Sequence, residues 1–197
     1  MKAILIFVSF LIVFMTFTTE TKATQDSCKW YCEEIDWMPY NEYVEFEYMG
    51  CTWILTYVSR IADCYEPMFC DFLTKKIELK SFMCQPTGYV DPYQLFQLGQ
   101  IALLEAVEGS ECEPDNGECS TQYGAHYSSC WKWGGPLPGP GGGTMPPLIP
   151  CEVTGCCVDF YRVCKDQQGQ RTVTLMSNDG GGVCEGGECF NICESMH

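Results

Sequence analysis

The sequence predicts an α+β fold in which two small antiparallel β-sheet modules, stapled by disulfides, surround one main helix. Three observations lead there. All sixteen cysteines follow an N-terminal stretch that reads as an export signal, two regions alternate apolar and polar residues with a period of two, and one segment between them repeats at helical spacing.

The export signal is residues 1–23. Lys2 precedes an apolar run from Ala3 to Phe17, and small residues at Thr21 and Ala23 suit a cleavage site. The run is shorter than the ~20 residues a bilayer-spanning helix needs, so no membrane span is expected in the mature chain. Cleavage would remove Lys2, Lys22 and Glu20, leaving 9 basic and 25 acidic side chains and a net charge of −16. Such a surface repels nucleic acid and anionic lipid, which excludes both as partners and leaves an extracellular protein or a glycan.

Cys28, Cys32, Cys51, Cys64, Cys70, Cys84, Cys112, Cys119, Cys130, Cys151, Cys156, Cys157, Cys164, Cys184, Cys189 and Cys193 form an even set in an oxidising compartment, and all sixteen are assigned to disulfides. Zinc knuckles and thioredoxin-like sites would need a Cys-x-x-Cys spacing, which never occurs, and the only histidines are His126 and His197. Cys156 and Cys157 are too close along a trans backbone to bond to each other. On a strand they point to opposite faces, so each needs its own partner.

The first module, residues 24–109, opens with EYVEFEY, whose Val44, Phe46 and Tyr48 share one strand face while Tyr43, Glu45 and Glu47 share the other. A turn at Met49-Gly50 leads to a second strand with Trp53, Leu55 and Tyr57 in phase, and residues 72–82 carry a third with Ile77 and Leu79. A helix over 92–108 follows, with Asp91 as cap, Pro92 in its first turn and Gly109 at its end. Leu95, Phe96, Leu98, Ala102, Leu103, Ala106 and Val107 form its apolar face, expected to pack on the first sheet. Residues 110–150 read as a cysteine-containing connector ending in the loop GGPLPGPGGGTMPPLIP, flanked by Cys130 and Cys151. A bond between those two would tether the loop, and bonds to opposite sides would make it a hinge. The second module, residues 151–197, holds VDFYRV, the glycine turn DQQGQ and RTVTLMS, a strand, turn and strand. A shift of 100 residues lays Cys51, Cys64 and Cys84 on Cys151, Cys164 and Cys184, which raises the possibility of a doubled plan, although the glycines fall out of phase by five residues.

Candidate chemistry is sparse, and no catalytic, cofactor-binding or metal-binding residue is assigned. Glu45 and Glu47 lie ~7 Å apart on a strand, a spacing that glycosidase carboxylates also adopt, but charges on an edge strand ordinarily guard against aggregation. Cys130 follows His126 by four residues, whereas thiol proteases bring Cys and His together from distant segments. Trp30, Trp37, Trp131 and Trp133 offer flat faces for sugars, and equally suit a core. The acidic loops EGSECEPDNGEC (108–119) and SNDGGGVCEGGEC (177–189) carry oxygen ligands that calcium would accept, without the spacing of a known calcium loop.

CWKW at 130–133 followed by PCEVTGCCVDFYRVC at 150–164 resembles uncharacterised cysteine-rich secreted proteins of Bacteroidota-type bacteria, with a fainter echo at CTWILTYVSRIADC. The resemblance implies export past the inner membrane and implies no activity. The expected role is therefore a secreted structural or interaction protein. A carbohydrate- or calcium-binding module is the first alternative, and a small secreted hydrolase or inhibitor the second.

Overall fold

The computed structural model describes residues 35–64, 67–138, 143–152, 155–184 and 187–193. The export signal, Cys28, Trp30 and Cys32 lie outside them. In chain order the elements are β1 (Glu42–Tyr48), β2 (Cys51–Ala62), β3 (Phe69–Leu79), helix α1 (Pro92–Ala106), β4 (Cys119–Ser128), β5 (Cys130–Trp133), β6 (Leu148–Pro150), β7 (Cys156–Lys165), β8 (Arg171–Gly181) and β9 (Phe190–Asn191).

β1 and β2 form the predicted hairpin. Met49 and Gly50 both take positive φ, the backbone twist that a two-residue hairpin turn requires. Val44, Phe46 and Tyr48 are buried, as are Trp53, Leu55 and Tyr57 on the partner strand, while Tyr43, Glu45 and Glu47 face solvent. β3 continues the antiparallel ladder on the other side of β2.

From β3 the sheet forks. Along the same edge, β3 first pairs with β4 in parallel, from Cys70–Tyr123 to Leu73–His126, and then with β6 in antiparallel at Ile77–Leu148. One arm runs β4-β7-β8 and the other β6-β5-β9, so the expected pair of antiparallel modules is replaced, among the described residues, by a single nine-stranded mixed sheet. The joining strand is β4, in the stretch read as connector. Its Tyr123, Ala125 and Tyr127 supply a buried face, but Gly124, His126 and Ser128 are buried on the other face, so the polar alternation that marks a half-exposed strand is hidden.

The sheet curls around α1, which packs against β1, β2 and β8 rather than against the first hairpin alone. Asp91 accepts a hydrogen bond from the Tyr93 amide and Pro92 opens the first turn, as expected. Leu95, Phe96, Leu103 and Leu104 are fully buried, with Phe96 wedged between Tyr127 and Trp131 at ring distances of 4.7 and 5.1 Å. The expected helix face is corrected: Leu98 and Ala106 are exposed, while Gln100 and Leu104 are fully buried, so the buried face is turned from the expected stripe towards Gln100, whose side chain accepts from Tyr161 on β7. Gly99 marks the closest approach, since a Cβ there would stand 2.8 Å from the Leu55 side chain and 3.3 Å from Phe46.

Six disulfides join described residues: Cys51–Cys84, Cys70–Cys112, Cys119–Cys164, Cys130–Cys184, Cys151–Cys189 and Cys157–Cys193. Cys64 and Cys156 are disulfide-bonded as well. Cys156 and Cys157 do point to opposite faces, Cys157 into the helix-covered core and Cys156 into a smaller cluster with Trp37, Val58 and Leu73. The doubled plan is not kept. Cys51 bonds Cys84, but their counterparts Cys151 and Cys184 bond Cys189 and Cys130. Cys130 and Cys151 therefore neither close the Gly/Pro loop on each other nor make it a hinge between modules. The loop is closed by β5–β6 pairing, and both cysteines are tied to the C-terminal segment.

Candidate functional site

Two buried polar clusters lie on opposite faces of the sheet. On the face away from the helix, Arg60 and Asp71 stand opposite each other on β2 and β3. The guanidinium Nε and terminal nitrogen both donate to Asp71 Oδ2, at 3.0 and 2.9 Å. Asp71 Oδ1 lies 3.1 Å from His126 Nε2, and Gly124 makes the room, because a Cβ there would sit 2.6 Å from that carboxylate oxygen. Trp37 closes the cluster, with Arg60 4.4 Å above its ring and His126 against its edge. All four side chains are almost wholly buried. Among the described residues His126 Nδ1 has no hydrogen-bond partner, so the Asp–His pair presents its second nitrogen to no hydroxyl or thiol there. Cys130, four residues after His126, is bonded to Cys184 and so offers His126 no free thiol.

On the helix-covered face, Asp159 is fully buried on β7. Its Oδ1 accepts from Tyr127 at 3.0 Å and from Asn178 on β8, while Tyr161 lies 3.5 Å from Oδ2. Tyr161 has one hydroxyl proton, and its 2.7 Å bond to Gln100 on α1 is the better use of it. Burial pushes the Asp159 carboxyl up to about 6, against the opposing pull of the Asn178, Tyr127 and Tyr161 hydrogen bonds. Burial likewise raises both tyrosines above the usual phenol range, with the Asp159 charge adding to it. Of the candidate calcium loop SNDGGGVCEGGEC (177–189), residues 177–181 complete β8, and Asn178 serves this network.

The other acidic loop is also committed to structure. Glu113 accepts from Lys165 at 2.6 Å, from Arg171 at 2.7 Å and from the Gly109 amide, and these bonds lower its carboxyl to about 2. Arg171 also donates to the Leu104 and Val107 carbonyls, closing the C-terminal end of α1. Among the described residues no group of three or more His, Cys, Asp or Glu converges as a metal site would. Glu45 and Glu47 are each engaged on the outer face of β1, Glu45 with Lys80 at 2.6 Å and Glu47 with the Thr52 hydroxyl.

The tryptophans separate by environment. Trp131 is a core residue whose indole donates to the Ser128 carbonyl at 2.6 Å, and Trp37 is the lid of the Arg60 cluster. Trp133 is half-buried in the wall of an open cleft of about 620 Å³. Lys132 and Trp133 come from β5, Ile149 from β6, Pro136 and Leu137 from the following loop, and Glu188 from the segment before β9. Each contributing strand adjoins a disulfide: Cys130–Cys184 at the start of β5, and Cys151–Cys189 beside both Ile149 and Glu188. The cleft volume falls inside the range of small-ligand sites, ~300–1,000 Å³. Only Trp133 could have been singled out from sequence. Its partners come from three segments that disulfides and β5–β6 pairing bring together.

Comparison with protein-family models, with curated proteins and with solved structures gave no match.

Proposed function

We propose that the chain is a secreted, disulfide-clamped binding protein whose ligand face is the Trp133 cleft and whose ligand is a carbohydrate. The observation that carries this is a half-exposed indole set in an open cleft whose walls are fixed by covalent cross-links. An aromatic face stacks on the C–H surface of a sugar ring. Lys132 and Glu188 supply donors and acceptors for its hydroxyls. Walls held by disulfides lose little conformational freedom on binding, which favours affinity from a small contact. A peptide adding as a strand suits the cleft less well, because β5 is only four residues long, is paired along one edge with β6 and has Cys130 and Trp131 of the other edge taken by β9. The export-signal reading of residues 1–23 and the abundance of disulfides support an extracellular destination.

The test is a glycan array followed by calorimetry on each hit, with wild type and Trp133→Ala. Stacking contributes about 1–2 kcal/mol, so the variant, measured well below its unfolding midpoint, should bind roughly tenfold or more weakly. A blank array, or hits that Trp133→Ala binds equally well, would refute the reading.

A further inference from the structure

The six disulfides that join described residues differ in how solvent reaches them. Cys51, Cys70, Cys112, Cys130, Cys151 and Cys157 are each at most 3 % exposed, so five of the bonds keep at least one half-cystine inside the protein. Cys119–Cys164 does not. Cys119 is exposed and Cys164 is half-buried. Thiol–disulfide exchange begins with attack of a thiolate on one sulfur, and its rate depends on access to that sulfur.

Position in the sheet sets the same bond apart. Cys119 and Cys164 stand directly opposite each other in the β4–β7 ladder, whereas none of the other five bonds joins residues that pair in register. Backbone pairing continues on both sides of it. Ser120 faces Val163, and beyond the bond the Gly117 amide donates to the Lys165 carbonyl at 2.7 Å and the Lys165 amide to the Glu118 carbonyl at 2.9 Å. The strands therefore hold the two cysteines face to face whether or not their sulfurs are joined. The short ladders of β5, β6 and β9 have no such reserve, because the disulfides beside them replace pairing rather than duplicate it.

We propose that Cys119–Cys164 is a thiol–disulfide exchange site, opened and reclosed within the folded protein, and that its reaction partner is a dithiol. A thiolate of the partner attacks the exposed Cys119 sulfur, the S–S bond breaks, and its electron pair leaves on Cys164 Sγ, giving a mixed disulfide on Cys119. A monothiol goes no further. Cys164, held opposite by the ladder at a high effective concentration, attacks Cys119 Sγ and expels it. A dithiol escapes that return, because its second thiolate attacks its own sulfur in the mixed disulfide, closes a disulfide within the partner and releases the Cys119 thiolate. The dithiol is oxidised by two electrons, the cystine is reduced by them, and the two thiol protons end on Cys119 and Cys164. Neither cysteine lines the Trp133 cleft, so the site is independent of the ligand face.

The test is timed reduction of the folded, oxidised protein by dithiothreitol or, at equal thiol concentration, by the uncharged monothiol 2-mercaptoethanol. Samples are quenched with acid, alkylated and mapped cysteine by cysteine by mass spectrometry. Dithiothreitol should label Cys119 and Cys164 together, about tenfold or more faster than any cysteine of the other five bonds. Over the same interval 2-mercaptoethanol should leave both unlabelled. Hydrogen exchange on the dithiothreitol-opened form should find β4 and β7 still protected, and removing the reductant in air should restore the bond. Earlier labelling at any of the other five bonds, one common rate for all six, or equal labelling by the two reagents would overturn the proposal. So would loss of β4 and β7 protection on opening. All of these measurements use the wild-type protein, so none depends on a variant that folds.

Discussion

The two arms that leave β3 are built on different physics. In one, β4, β7 and β8 are long strands, with β7 and β8 paired from Cys156–Gly181 to Lys165–Arg171 across a single bulge at Met176, and buried hydrogen-bonded side chains lie on both faces. In the other, β5 meets β6 over three positions and β9 over two, and β6 touches β3 at one. Ladders that short do not stand alone. Cys130–Cys184, Cys151–Cys189 and Cys157–Cys193 stand in for the missing backbone bonds, the last tying the end of the short arm to β7. The difference teaches where each arm is vulnerable: the long arm to the deprotonation of a buried carboxyl, the short arm to reduction. The cleft with Trp133 sits on the arm that sulfur holds.

The largest expected effects come from removing one disulfide in each arm. Cys151–Cys189 and Cys119–Cys164 close 38 and 45 residues, so loop-closure entropy assigns each about 4 kcal/mol of global stability. Denaturant unfolding of the Cys151→Ala/Cys189→Ala and Cys119→Ala/Cys164→Ala proteins should therefore give similar losses. Native-state hydrogen exchange should not. The first protein should lose protection at β5, β6 and β9 through local opening, whereas the second should keep β4 and β7 protected by their ladder. Matching exchange patterns would erase the distinction between the arms.

That distinction also explains what the sequence disclosed. The hairpins at Met49-Gly50 and DQQGQ, the capped helix and the disulfide-bonded state of the described cysteines were readable because each rests on local chemistry: a turn, a cap, a period, an even cysteine set without metal spacing. β4 was not, because both its faces are buried and its outer one carries Gly124, His126 and Ser128, residues that mean loop unless Asp71 and Arg60 are already beside them. Missing β4 made one sheet look like two modules. Tyr123, Ala125 and Tyr127, spaced by two on the inner face, were the signal available. The candidate cleft was half legible: Trp133 stands out in CWKW, but Glu188 joins it only through a disulfide whose pairing no spacing reveals.

Next in size is the pH dependence of the long arm. Asp159 is raised in the folded protein, so the unfolded chain ionises first. Its contribution is whole below about pH 4 and is lost as pH rises through about 6, a fall of roughly 3 kcal/mol. Asp159→Asn should abolish that fall. The carboxamide oxygen put in place of the carboxylate could still accept from Tyr127 and Asn178, and its nitrogen could donate to Tyr161 while Tyr161 keeps Gln100. Urea unfolding from pH 4 to pH 7 measures both proteins, and the variant should overtake wild type above pH 6. Parallel curves would mean that the buried carboxyl is not the group sensed.

The smallest effect lies where the long arm holds the helix. Arg171 on β8 donates to the last carbonyls of α1 and to Glu113, so Arg171→Met should cost about 1–2 kcal/mol at pH 7 while keeping the aliphatic stem packed. Glu113 has the opposite sign from Asp159. Its lowered carboxyl contributes stability that is present above the ordinary glutamate value, 4.5, and disappears as pH falls towards about 2. The Arg171 deficit should therefore shrink between pH 5 and pH 2, because the charge it serves is being neutralised. What persists at low pH is the capping of the helix carbonyls, which carries no titratable group. A deficit independent of pH would assign Arg171 to capping alone and leave Lys165, at 2.6 Å, as the partner that lowers Glu113.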